Sequence, residues 1–275
     1  MIMKRILLLA AAVVSLSAPA GYLTDKIAEK HKVIATDKFH GFDRTRFDFR
    51  GCEAWVVEPS IPALEARPWT WTMQWATAFV PRTPALHLLR QGWHHVTIDT
   101  YKYKMNDEGV EISRAFQEYL VKELAFSPKA CLIGLSWGGF ISTRYAAAHP
   151  GNVAAIYYDC PLLNFSKFAN LKPEEIKGRI GPWAADAPED WSTDPRMPVN
   201  LAEKVAKSGI PALLIYGGAD NVVPPGLNSE IFASRFKKAG GDIKVVYNRA
   251  YGHHPHGVEI DDMSVADFFR NTLGK

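Results

Sequence analysis

Cysteine is scarce in this chain, three residues among 275, and an odd count excludes a framework in which every thiol is paired within the chain. Cys131 lies near the start of one apolar run and Cys160 just past the end of the next, at opposite ends of what read as parallel neighbours. Three buried thiols are expected. An excess of charge of either sign is also lacking. The formal net charge of +3 falls to +1 once the two charges of Lys4 and Arg5 leave with an N-terminal leader, which removes the electrostatic case for nucleic acid or membrane surfaces. Repeats and low-complexity tracts are missing as well.

The first twenty residues stand apart from the rest. Met1 to Arg5 is a basic start, Ile6 to Leu16 a short apolar run, and Ala18-Pro19-Ala20 offers small residues for cleavage before Gly21. This is the pattern of a secretory signal peptide, and the apolar run falls short of the roughly 20 residues that a membrane span needs. The expectation is a secreted or periplasmic protein, cut near Ala20 and without a membrane anchor afterwards. The whole chain is 47% hydrophobic, and residues 21–275 are long enough to bury the core of one large domain.

That domain is organised around Lys129 to Pro150. Ala130 to Ile133 is an apolar run of strand length, and Phe140, Ile141, Tyr145, Ala146 and Ala148 recur at helical spacing until Pro150 ends the helix. Between them lies Gly134-Leu135-Ser136-Trp137-Gly138, a G-x-S-x-G turn. A serine on so tight a strand-to-helix turn sits in a strained backbone, with its hydroxyl thrust out at the sheet edge and the helix N-terminus directing N–H groups beside it. Both flanking positions, Gly134 and Gly138, are expected to require a residue without a Cβ so that strand and helix can approach closely.

On either side, strands alternate with helices. Gly21 to Thr36 reads as a polar surface lead-in, and Lys38 to Phe49 with Cys52 to Pro59 as an antiparallel pair at a sheet edge. Arg67 to Trp75, RPWTWTMQW, reads as a strand entering a functional loop, its tryptophans either core or a stacking platform for sugar. Trp93 to Thr100 carries His94 and His95 at its amino end, away from the reactive edge, where both are structural. Tyr101 to Met105 leaves that edge and can touch substrate. Glu108 to Leu124 is an amphipathic helix. From 162 to 200 periodicity dissolves among prolines and tryptophans, Trp183 and Trp191 included, as in a cap inserted between strands. The strand Pro211 to Tyr216 runs into Gly217-Gly218-Ala219-Asp220, and the strand Asp242 to Tyr247 into Gly252-His253-His254-Pro255-His256.

Such alternation argues for a mainly parallel sheet with helices on both faces, whose reactive residues collect at the carboxyl ends of strands. Ser136, Asp220 and His253 all lie just past such ends, in the order nucleophile, acid, histidine. With GLSWGG, GGADNVVPP and YGHHPHG, the chain resembles an α/β-hydrolase from about Lys38 onward. More narrowly, RPWTWTMQW, VVPPGLNS and GHHPHG are similar to secreted bacterial esterase-like members, related to prolyl oligopeptidase and often associated with polysaccharide breakdown.

The resemblance implies a Ser136-His253-Asp220 triad that cleaves a carboxylic ester through an acyl-enzyme, without metal or cofactor. It also implies an oxyanion hole from the backbone N–H groups of Trp137 and Met73, although the His-Gly pair of many relatives is missing where Thr72, Met73 and Gln74 stand. Trp71, Tyr101 and Trp183 are the expected contacts to a small-molecule or carbohydrate ester. Asp159 competes with Asp220 for the role of acid, and the histidine segment competes as a metal site, with no evident carboxylate or cysteine set beside it. A prolyl-oligopeptidase-like serine peptidase is the alternative activity, though that type adds a propeller domain for which the chain has no room. A non-catalytic binding protein on the same scaffold is the third reading, against which the three intact residues speak.

Overall fold

The computed structural model describes residues 22–166, 173–186, 188 and 190–273, so the leader read at 1–20 lies outside the described residues. Among the described residues nine strands form one sheet: β1 (Val33–Phe39), β2 (Phe42–Phe49), β3 (Cys52–Val57), β4 (Trp69–Thr72), β5 (His94–Ile98), β6 (Ala130–Leu135), β7 (Val153–Asp159), β8 (Ala212–Gly217) and β9 (Ile243–Asn248). Their order across the sheet is β1-β2-β3-β5-β4-β6-β7-β8-β9. β1, β2 and β3 are an antiparallel meander joined antiparallel to β5, and every pair from β5 to β9 is parallel.

The helices are α1 (Tyr22–Ala28), α2 (Ala85–Leu89), α3 (Asp107–Glu123), α4 (Trp137–Ala148), α5 (Pro173–Ile180), α6 (Pro198–Lys207), α7 (Ser229–Lys238) and α8 (Ser264–Leu273). Alternate strand residues feed two cores, because successive side chains leave a strand on opposite faces. On one face Leu132, Ile156, Tyr158 and Leu214 meet Phe116 of α3, Phe140 of α4 and Phe232 of α7. On the other, Cys131, Ile133, Tyr157 and Leu213 meet Leu88 of α2 and Phe269 of α8. The sheet is therefore covered on both sides, as its parallel pairing requires.

Local chemistry sets several ends. Asn106 caps α3 by accepting from Gly109 N at 3.0 Å, Pro198 occupies the first position of α6, and α4 ends at Ala148 with His149, the residue before Pro150, as its C-cap. Two expectations are corrected. The lead-in before Thr36 is structured: Leu23 and Ile27 of α1 are buried, and β1 adds a third strand to the expected antiparallel pair. Trp71 stands on the central strand of the nine, wholly buried with Trp69, and stacks on it at 5.8 Å. It is core, and no substrate reaches it. Between 162 and 200, α5 and a 3₁₀ turn at Gly181–Asp186 are described, while 167–172, 187 and 189 lie outside the described residues.

All three thiols are free and buried, and burial pushes that of Cys131 up. No helix among the described residues is long and apolar enough to cross a membrane.

Candidate active site

The turn from β6 into α4 holds Ser136 at φ 49° and ψ −115°, a conformation that costs a non-glycine residue about 1–3 kcal/mol and persists only where its surroundings enforce it. Ser136 N donates to Asp159 O at 3.0 Å, and Leu162 N to Ser136 O at 2.8 Å, so both backbone groups are tied to the neighbouring strand end. A Cβ on Gly134 would lie 2.9 Å from Ser142 Oγ and 3.1 Å from Gly139 Cα, whereas one on Gly138 would meet nothing closer than 3.5 Å. The crowding expected at both glycines is confined to Gly134.

β8 and β9 bring the acid and the histidine. Asp220 follows β8 in a loop laid so closely on the loop after β9 that a Cβ on Gly217 would strike Tyr251 O at 2.1 Å. There His253 Nε2 lies 3.1 Å from Ser136 Oγ, and His253 Nδ1 2.7 Å from Asp220 Oδ2. Asp220 Oδ1 accepts from Val222 N at 2.9 Å and Val223 N at 2.7 Å. Both ionisable residues are buried. Burial works against the Asp220 carboxylate, but the bond from His253 and the two N–H donors outweigh it and hold its pKa below the ordinary value. A carboxylate only accepts, so His253 carries its proton on Nδ1 and presents a lone pair on Nε2 to the serine hydroxyl.

Asp159, the competing acid, ends β7, one strand away. It accepts from His256 Nδ1 at 2.6 Å, Tyr157 Oη at 2.5 Å and Gly257 N at 2.7 Å. Among the described residues two buried aspartate-histidine pairs thus lie side by side, and of these that of Asp220 reaches Ser136. His254 is exposed and stacks on Phe79 at 5.5 Å. His94 and His95, read as structural, are both buried, and burial lowers each to about 3.

Trp137 opens α4, so its N–H belongs to the first turn, where no intrahelical acceptor exists. Met73 N is already spent on Ile133 O at 3.1 Å, in the ladder between β4 and β6. The N–H expected to be the second oxyanion donor is therefore not free, and the first N–H past the ladder is that of Gln74, 3.5 Å from the position of a Cβ on Gly138.

Ser136 opens on a cavity of about 470 Å³, lined also by Tyr101, Trp137, Glu175, Arg179 and Val222. Tyr101 was expected there; Glu175 and Arg179, one turn apart on α5, come from a stretch with no readable period. Trp183 is corrected. It is buried against Phe140 and Phe165, and its Nε1 donates to Lys104 O at 3.0 Å, so it shores up the loop after β5 and is not part of the cavity wall. On that loop Lys104 Nζ sits 2.9 Å from the centre of the Tyr101 ring, with its pKa lowered to about 8 by burial. A second cavity of about 260 Å³ is lined by Glu53, Trp55, Gln74, Trp75 and Asp99. Trp75, 38% exposed, packs at 5.2 Å on Tyr101 and so joins the two.

Comparison with known proteins agrees with this architecture. A family model of the α/β-hydrolase fold matches residues 85–179, the segment holding the elbow. Among solved structures, the acylaminoacyl peptidase of Pyrococcus horikoshii is similar at a TM-score of 0.58 and 17% identity, over 86% of this chain and 40% of that one. This chain therefore spans about 40% of the peptidase's length. Est1E of Butyrivibrio proteoclasticus superposes with a TM-score of 0.57 at 16% identity, over 89% of this chain and 100% of that one. The S-formylglutathione hydrolase of Agrobacterium tumefaciens gives 0.58 at 15%, over 88% and 97%. No curated sequence matches the chain. With esterases and a peptidase among its structural neighbours and a family model over its central segment, the chain has the α/β-hydrolase fold.

Proposed function

We propose that the protein is a secreted serine hydrolase that cleaves a carboxylic ester of a polar, carbohydrate-like alcohol. The observation that carries this reading is the unbroken line from Asp220 through His253 to Ser136, at 2.7 and 3.1 Å, ending at the mouth of a cavity. Ser136 Oγ attacks the acyl carbonyl while His253 Nε2 takes its proton, and Asp220 keeps the imidazole in that tautomer and balances the imidazolium. The N–H groups of Trp137 and Gln74 receive the oxyanion, where the loss of one donor costs about 2.7–4 kcal/mol. His253 then protonates the departing alcohol, and water, activated by the same imidazole, releases the acid from the acyl-enzyme.

The preference for a polar alcohol rests on the second cavity. Its half-exposed Trp75 offers an aromatic face beside Glu53 and Asp99, and aromatic faces flanked by carboxylates suit the apolar faces and hydroxyls of a sugar. Export rests on residues 1–20 alone, and the mass of the mature chain tests it. The activity is tested by screening purified protein against short and long p-nitrophenyl esters, acetylated and feruloylated sugars, and aminoacyl amides. Ester hydrolysis with acylated sugars among the substrates supports the proposal. Hydrolysis of amides alone replaces it with a peptidase, and inertness towards every class replaces it with a binding protein.

A further inference from the structure

The loop after β9 holds more imidazole than the proposed reaction uses. His253, His254 and His256 pack edge to face, with ring centroids 4.6, 4.8 and 4.9 Å apart, and each offers one ring nitrogen that lies within 4.8 Å of those of the other two. Three nitrogens around a tetrahedral zinc ion at 2.0–2.1 Å stand about 3.3 Å apart, so movements of less than about 1 Å would complete the site.

Protonation favours the same outcome. Asp220 and Asp159 hold His253 and His256 by their Nδ1 atoms, at 2.7 and 2.6 Å. Each carboxylate fixes the proton on Nδ1 and leaves Nε2 with a lone pair, the arrangement that orients and strengthens a metal-ligating histidine. His254 is exposed and stacked on Phe79, and no described residue hydrogen-bonds its ring nitrogens, so it is available from its present position as the third ligand and gives an ion access from solvent. Ser136 Oγ, 3.1 Å from His253 Nε2, or a water molecule fills the fourth position.

We propose that His253, His254 and His256 form a reversible site for a borderline-soft divalent cation such as Zn²⁺, and that the bound ion switches the enzyme off. Neutral imidazoles are the donors such an ion prefers. The ion takes the lone pair of His253 Nε2, the one that must accept the proton of Ser136, so an occupied site has no base. The inhibition rests on the serine-hydrolase reading; the binding does not.

The experiment is calorimetric titration of ZnCl₂ into untagged, chelator-stripped protein as wild type, Ser136→Ala and His254→Ala, with ester hydrolysis followed over the same zinc range. One zinc per chain is expected in wild type and Ser136→Ala, with affinity lower by more than about tenfold in His254→Ala. Wild-type hydrolysis falls with occupancy and returns on adding EDTA, whereas His254→Ala keeps its own zinc-free rate over that range. Absent binding, or affinity unchanged in His254→Ala, overturns the site. Binding as described with undiminished hydrolysis overturns the inhibition. If the protein hydrolyses no ester, the calorimetry still decides the site.

Discussion

Replacing Asp220 by Asn is an almost isosteric change whose effect can be worked from its hydrogen bonds. One carboxylate oxygen faces His253 Nδ1 at 2.7 Å and the other accepts two backbone N–H groups, Val222 at 2.9 Å and Val223 at 2.7 Å. If the amide oxygen stays with the two donors, the new NH₂ points at Nδ1, which must then accept. The proton moves to Nε2, and the lone pair that receives the serine proton is gone. The opposite flip sets NH₂ against two N–H donors in a buried site, at a cost of about 1–3 kcal/mol for each unsatisfied group. The inactive tautomer is therefore enforced. A comparable change in a well-studied triad lowers kcat about 10⁴-fold, or about 5.5 kcal/mol at 1.36 kcal/mol per tenfold, and a similar loss is expected here. The assay is single-turnover acylation by p-nitrophenyl acetate, with circular dichroism to confirm folding. Acylation within tenfold of wild type in Asp220→Asn, with a 10⁴-fold loss in Asp159→Asn, would refute the reasoning and make Asp159 the acid.

Further outcomes are expected from the same geometry. Ser136→Ala abolishes turnover with little change in thermal midpoint, since the hydroxyl's one side-chain partner is His253; substantial residual hydrolysis at the same site would point to another nucleophile. Lys104, with its pKa lowered by burial from 10.5 to about 8, binds fewer protons folded than unfolded between those values. Stability therefore rises with pH across that window. Urea unfolding at pH 7 and 9.5 checks this: Lys104→Met should be the more stable protein at pH 7 and should flatten the rise, and an unaltered slope would contradict it. Short acyl esters should be preferred to long ones, because a cavity of about 470 Å³ has finite depth. Equal or faster cleavage of long-chain esters would speak for an open groove.

The elements that could be read from the sequence are those in which local pattern and tertiary context agree. The apolar run before Ser136, the glycines around it and the period-3.6 run after it describe β6, the elbow and α4 in one stretch. Position after a strand end is enough to bring Asp220 and His253 to the same sheet edge as Ser136. Where burial depends on strand order, the pattern leaves two readings open: the alternating tryptophans fit core or platform, and it is the place of β4 as the central strand, with both faces buried, that makes them core. Backbone donors are equally hidden, because whether Met73 or Gln74 is free depends on where the ladder with β6 ends. The pairing of Asp159 with His256 crosses 97 residues and needs β7 and the loop after β9 to be neighbours at one sheet edge. Gly252 needs no left-handed backbone, and the residue of that loop which does is Gly257, at φ 89°.

The central claim is that Ser136 carries the acyl group. Mass spectrometry of the protein after incubation with a slowly deacylating ester, and separately with a fluorophosphonate, tests it most directly. One adduct per chain is expected, on the peptide containing Ser136, absent from Ser136→Ala and strongly slowed in His253→Ala. Ester hydrolysis that proceeds with no adduct, or with an adduct on another residue, would contradict it.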